Sequence, residues 1–239
     1  MLIFLDVETT GLEQEDKICS IGIIYVDGDC VKSQYELINE GKKISPKASS
    51  INHITNEMIK NKPKFIESEI YKFLTKHNNQ DTTIIGHNVN FDIKKLSSSG
   101  FVFKGSVIDT LRVSKHLIED CESYSLQFLR YELKLYKDES DEALLCGVDG
   151  DIVSHHALYD SLLVKLLYSY LLDITSRDQM YELSFKNVLI QKFGFGKYEG
   201  RYIEEICMCD RGYLEWMLSN IVDLDEDLRY SITYYLQGN

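Results

Sequence analysis

The chain has 239 residues, 44% of them hydrophobic and 27% charged, and carries a formal net charge of −12. That length suits one large domain, or a medium domain with a small appendage. The negative balance argues against a protein that coats nucleic acid nonspecifically, and no apolar run approaches the roughly 18–20 residues needed to span a bilayer.

The chain opens with an apolar run, Leu2-Ile3-Phe4-Leu5, that leads into FLDVETTG and reads as a buried strand. No signal peptide is expected ahead of it. Residues 17–25 (KICSIGIIY) and 31–37 read as two further strands joined by a turn at Asp27-Gly28-Asp29, an antiparallel meander. Residues 46–54 are loop-like. Helices are expected at 56–61 and 65–77, separated by Lys62-Pro63. A β-branched strand at 82–86 ends at Gly86-His87-Asn88, and 92–98 continues as helix. A short strand at 106–109 and helices at 111–118 and 125–133 follow. Residues 154–172 form the longest helical pattern, apolar on nearly every side, and therefore deeply packed. A meander followed by alternating helices and strands implies an α/β fold with a mixed sheet. The polar stretch 173–178 marks a boundary. The expected organisation is a domain at 1–175, a linker at 176–190 and a small module at 191–239.

Charge is unevenly spread. Between Gly41 and Gly105 the chain holds eleven lysines against five acids, whereas 119–151 and 223–227 are acidic. The basic segment is either a solvated face or a set of phosphate contacts. The six cysteines show no zinc-type CxxC pairing and read as reduced thiols of a cytoplasmic protein.

Three places concentrate carboxylates. Asp6 and Glu8 alternate with Val7 and so share one strand face, where they repel one another and lose hydration. They either mark the strand end or hold a divalent metal, for which oxygen ligands are suited. Asp92 closes GHNVNFD at a helix start, where the dipole alone would favour an acid. Asp160 lies in SHHALYDS, inside an otherwise apolar helix, and is expensive there unless paired or bound to metal.

Taken together, Asp6-x-Glu8 with Thr10-Gly11, the run ending Phe91-Asp92, and His155 five residues before Asp160 resemble the DEDDh family of 3′→5′ exonucleases. This family includes the proofreading subunits of bacterial replicative polymerases, RNase T, oligoribonuclease and exodeoxyribonuclease X. The likeness covers roughly residues 1–172. A tyrosine-bearing branch would place Tyr where His156 stands, so the histidine branch fits and His156 is a bystander. The resemblance implies a ribonuclease H-like fold and two divalent ions, Mg²⁺ or Mn²⁺. It makes Asp6, Glu8, Asp92 and Asp160 the metal ligands and His155 the general base. It also implies terminal-nucleotide contacts from Thr9, Thr10 and Phe91, and an apolar wedge from Ile54.

The implied activity is metal-dependent hydrolysis of single-stranded 3′ ends to nucleoside 5′-monophosphates, with DNA favoured over RNA. An RNase T-like or oligoribonuclease-like RNA trimmer is the alternative within the class. A non-catalytic nucleic-acid-binding module is the alternative outside it. A polymerase or repair partner is left open, and no membrane partner is expected. Downstream, Phe195-Gly196-Lys197-Tyr198-x-Gly200-Arg201 and Asp210-x-Gly212-Tyr213-Leu214-x-Trp216 resemble a small module of exodeoxyribonuclease X-like proteins. Lys197, Tyr198, Arg201 and Trp216 form either a nucleic-acid surface or, as the favoured reading, a mini-domain core centred on Trp216.

Overall fold

The computed structural model describes residues 1–119, 121–150 and 154–238. The first unit spans Met1–Ser184 and is built on a five-stranded mixed sheet, ordered β3-β2-β1-β4-β5. β1 (Leu2–Thr9), β2 (Ile18–Asp27) and β3 (Cys30–Leu37) form the expected antiparallel meander, turned at Gly28 with φ of 58°. β4 (Thr83–Gly86) and β5 (Ser106–Asp109) add parallel to β1, each after a helical crossover.

Between β3 and β4 lie α1 (Pro46–Asn52), α2 (Asn56–Ile59), a 3₁₀ turn at Phe65–Glu67 and α3 (Glu69–Lys76). Two expectations change here. Residues 46–54, read as loop, begin with a helix, because Ser45 caps it by accepting the Ala48 N–H and Pro46 takes the first helical position, where proline is tolerated. The single helix expected at 65–77 is divided at Ser68, which caps α3 by accepting the Tyr71 N–H.

α4 (Val89–Ser98), α5 (Thr110–Leu117), α6 (Leu126–Glu132), α7 (Glu139–Cys146), α8 (Ala157–Leu172) and α9 (Arg177–Leu183) complete the unit. α8 is the deeply packed helix foreseen, but it starts at Ala157, so Asp160 sits in its first turn and His155 lies outside it. The alternation of β1 sorts the core. Phe4 faces α8 in one apolar cluster, while Ile3, Leu5 and Val7 face α3 and α4 in another. Asp6 and Glu8 share the parity of Phe4 and therefore point to the α8 side. No helix among the described residues is long and apolar enough to cross a membrane.

The stretch 176–190 is not a linker throughout. Ser176 caps α9, whose Met180 is fully buried in the α8 cluster, and Ser184 Oγ accepts the Asp109 N–H at 2.9 Å. Polarity at 173–178 reflects one turn between packed helices. At the other end, the Val188 and Ile190 N–H groups donate to Asp227 and Ser231 within the second unit, Phe185–Asn239. That unit contains α10 (Ile203–Cys209), α11 (Arg211–Asn220) and α12 (Glu226–Leu236). Its own core includes Phe193, Ile203, Ile206, Leu214, Met217 and Ile232. Trp216 is not its centre, being 52% exposed on the outer side of α11. The Lys197 ammonium and the Tyr198 hydroxyl instead meet on Asp210, at 3.0 and 2.6 Å, bracing the 3₁₀ turn Gly196–Tyr198 against the start of α11.

These boundaries set the stability of shortened chains. A chain ending after Ser184 is expected to melt with the first unit's cooperativity intact. One ending after Thr175 loses the buried Met180 and should be destabilised by at least about 2 kcal/mol, the low end for deleting a large core side chain. Equal denaturant midpoints for the two would show that α9 adds nothing to the core.

Candidate active site

The site forms where β1 ends. Directly beside Asp6 in the β1–β2 register stands Gly22, and a Cβ there would lie 2.3 Å from the backbone nitrogen of Leu158. Only a residue without a side chain lets the start of α8 rest on the sheet so closely. Ser161 Oγ reinforces the contact by donating to the Gly22 carbonyl at 3.0 Å. Asp160, the residue before it, is thereby delivered beside Asp6 and Glu8.

Asp92 arrives from the other direction. β4 ends at Gly86, and Asn88 adopts a left-handed conformation (φ 64°) that turns the chain into α4. Asp109 Oδ1 holds that turn by accepting the Asn88 N–H at 2.9 Å and also caps α5. Asp92, in the first turn of α4, accepts the Val7 N–H at 3.0 Å and is thus tied to β1 itself.

The result is a cleft of about 350 Å³ that brings together Asp6, Glu8, Asp92, His155 and Asp160, with His87, Phe91 and Gln127 also on its wall. Donor atoms of Glu8, His155 and Asp160 lie within 4.8 Å of one another. Among the described residues no lysine or arginine ion pair reaches any of the four carboxylates. Burial, then the charges of Asp92, Asp160 and Glu8, holds the Asp6 carboxyl well above its usual range. Burial, followed by Asp160 and Asp92, raises Glu8 to about 8, against an opposing hydrogen bond from Asn52. Burial takes Asp92 to about 8 despite the Val7 N–H, and Asp160 to about 6, where the Gln127 amide and Arg130 restrain it. Four carboxylates kept from water without a cation form a hard-oxygen donor set, which fits divalent metal.

The other nominated residues are placed differently. Phe91 lines the cleft, with the Lys95 ammonium 5.4 Å from its ring centre. Thr9 and Thr10 are buried, and their hydroxyls donate to the Gly11 carbonyl and to Asp16 Oδ1. The Thr10 N–H is also taken, by the Lys17 carbonyl, so these threonines shape the loop from inside. Ile54 is 3% exposed and packs with Cys19, Ile44, Ala48 and Ile59, not on the cleft wall. Its apolar character serves a local core. His156 stacks on Tyr35 at 4.3 Å and is not among the residues that line the cleft.

Sequence reading passed over Asn52, His87 and Gln127. Asn52 Nδ2 donates to the Thr9 carbonyl at 3.2 Å beside Glu8. His87 is fixed by Thr110 Oγ1 and the Tyr124 carbonyl, and burial lowers its pKa to about 4, leaving it neutral. Carboxamides and a turn histidine carry no periodic signal. Only their adjacency to the motif acids could have marked them.

Comparison with known proteins agrees with this geometry. Residues 3–168 match the exonuclease family that includes RNase T, and residues 193–222 match the exodeoxyribonuclease X-like C-terminal family. The chain is 28% identical over 241 residues to exodeoxyribonuclease 10 of Escherichia coli, covering 100% of each. It is 30% identical over 168 residues to the DNA polymerase III subunit epsilon of Treponema pallidum, covering 64% of this chain and 76% of that one. In fold it is similar to exonuclease X solved with 5′-overhanging duplex DNA. That likeness has a TM-score of 0.61 at 24% identity, over 77% of this chain and 99% of the other. The sheet order, the acidic cleft and the matched span lead to one conclusion: this chain belongs to the exonuclease family and is a 3′→5′ exonuclease.

Proposed function

We propose that the enzyme removes nucleotides singly from the 3′ end of single-stranded DNA and releases nucleoside 5′-monophosphates, using two divalent ions, Mg²⁺ or Mn²⁺. The observation that carries this reading is the convergence of Asp6, Glu8, Asp92 and Asp160 with His155 in one cleft. DNA is favoured over RNA because the similar proteins are named for DNA or solved with it. A replicative polymerase is the partner to test, given the likeness to subunit epsilon. Six unpaired thiols support a cytoplasmic setting.

Asp6 faces the charges of all three other carboxylates and would help to hold both ions. Glu8 and Asp160, grouped with His155, would complete one ion's ligands, and Asp92 would hold the second. When bound, such ions acidify water and neutralise charge on the attacking and leaving oxygens. The chain's own groups do the rest. His155, exposed at the rim, takes the proton from the attacking water at a ring nitrogen, close to Glu8 and Asp160. Water oxygen joins phosphorus, the bond to the 3′ oxygen breaks, that oxygen takes a proton from solvent, and His155 returns its own to solvent. Phe91 offers a flat apolar face to the terminal base. Thr9, Thr10 and Ile54 act one layer back, by holding the loop and segment around the cleft.

With Mg²⁺ or Mn²⁺, 5′-labelled single-stranded DNA should yield a descending ladder, and a circular single strand should survive. Cutting of the circle would overturn the reading. His155→Ala should lose about 10²–10⁴-fold in rate while still binding Mn²⁺ in calorimetry. A variant that no longer binds the metal would make His155 a ligand rather than a base.

Metal-free stability should depend on pH in an unusual direction. All four site carboxyls have folded pKa values above their ordinary ones, so the folded state retains protons that the unfolded chain releases. Their contribution is complete below about pH 4 and is lost as pH rises through about 6 for Asp160 and about 8 for Glu8 and Asp92. In EDTA the melting temperature should therefore fall between about pH 5.5 and 8.5, and added Mn²⁺ should restore it. Asp92→Asn keeps the acceptor for Val7 but removes a charge, so at pH 8 in EDTA it should melt at or above the parent. A much lower melt would mark Asp92 as structural.

A further inference from the structure

Asp160 is the end of a chain of side chains that leads away from the cleft. Gln127, near the start of α6, donates from Nε2 to Asp160 Oδ1 at 3.0 Å. Its Oε1 accepts from Arg130 Nη1 at 3.4 Å. Arg130 in turn forks onto Glu139, the first residue of α7, through Nε and through Nη2, the latter at 2.6 Å. Arg130 and Glu139 are both largely withdrawn from solvent. A guanidinium can only donate, so it must face the amide oxygen, and this turns the amide NH₂ toward Asp160. The orientation of Gln127 is thus set by its neighbours.

The order of the groups has a chemical consequence. An arginine placed directly on Asp160 would press a full positive charge on an oxygen needed for a cation. Here Glu139 neutralises the guanidinium, and the neutral amide passes on direction without a net charge. The helix that carries this relay is itself well anchored. Ser125 caps α6 by accepting the Phe128 N–H, and Leu129 is fully buried in the α8 cluster. Both ends of the Gln127 side chain are held on a fixed support.

We propose that Gln127, clamped by the Arg130–Glu139 pair, is a positioning residue that commits one oxygen of Asp160 to the protein and leaves the other to a divalent ion. The proposal rests on the reading of Asp160 as a metal ligand. Groups in this place typically change metal affinity by about 10–100-fold when removed.

The test is Mn²⁺ titration calorimetry on the full chain, paired with melting in EDTA. Gln127→Leu should weaken Mn²⁺ binding by about 10–100-fold, with an EDTA melt within about 4 °C of the parent, the shift expected for a single lost hydrogen bond. Gln127→Asn keeps the amide but is one methylene too short to span both partners, so it should fold and show a similar loss. Replacing the pair together, Arg130→Met with Glu139→Leu, leaves no single buried charge and should cost less affinity than Gln127→Leu. Adding Gln127→Leu to that pair should bring the loss only to that of Gln127→Leu alone, because the groups act in series. Rate loss in Gln127→Leu should shrink as Mn²⁺ is raised. Parental Mn²⁺ affinity in both Gln127 variants, or strictly additive losses, would overturn the proposal while leaving the nuclease reading intact. A parent protein that binds no Mn²⁺ would overturn the metal reading, and this proposal with it.

Discussion

The site depends on one close approach, the backbone of α8 against Gly22. A Cβ at position 22 would meet Leu158 N at 2.3 Å and the Ala157 carbonyl carbon at 2.4 Å, far inside contact distance. Any side chain would lift the helix start away from the sheet. Because Gly22 pairs with Asp6, the same displacement would carry Asp160 away from Asp6 and Glu8. The antiparallel partner of the catalytic strand therefore sets how near the third motif comes to the first. The long apolar face of α8 then fixes the helix along its length, with Leu162, Val164, Leu167 and Leu171 buried. Core packing is what brings like charges together here, since nothing electrostatic would.

The enclosed carboxylates of this protein differ in their partners. Asp16 accepts from the Thr10 hydroxyl and the Glu13 N–H and pairs with Lys42, and these contacts lower its pKa. Glu139 takes both arms of Arg130, and Asp227 accepts the Val188 N–H. Each has local partners, as buried acids ordinarily do. Asp6, Glu8, Asp92 and Asp160 have raised pKa values, as Asp109 does, and among the described residues no lysine or arginine ion pair reaches these four. That difference in ion pairing marks the cleft more sharply than burial does, because Asp92 and Asp160 are as buried as Asp16, Glu139 and Asp227.

What could be read from the sequence followed from periodicity and cost. The β1–β3 meander is visible in its apolar runs and Gly28 turn, and the parity of Asp6 and Glu8 follows from strand geometry alone. Asp160 was conspicuous because an acid in an apolar helix needs a reason. Local capping was harder to see. Residues 46–54 read as loop, yet Ser45 and Pro46 start a helix there, and Ser68 divides what reads as one helix at 65–77. Ile54 and Trp216 misled in opposite directions, since hydrophobicity does not say which surface a residue meets. Ile54 fills a local core, and Trp216 is half exposed. Gln127 carries no periodic signal because its meaning lies in a chain of contacts that runs from Asp160, 33 residues away, through Arg130 to Glu139, on three helices.

In the small C-terminal unit, residues of the motif brace a local turn. Gly196 and Gly200 take left-handed φ values of 79° and 80°, which make the tight turn that presents Lys197 and Tyr198. Both side chains converge on Asp210 at the start of α11, and the Lys197 ammonium also lies 4.6 Å from the Tyr198 ring centre and 5.6 Å from that of Tyr213. The Lys197 ammonium, though 61% exposed, is engaged by this carboxylate. Arg201 likewise approaches Glu205 at 3.6 Å. The first unit uses the same device at Asp16 and Glu139, whereas among the described residues no lysine or arginine ion pair reaches the four cleft carboxyls. Ion pairing thus braces loops and helices in both units, and the cleft is where acids are enclosed together without it.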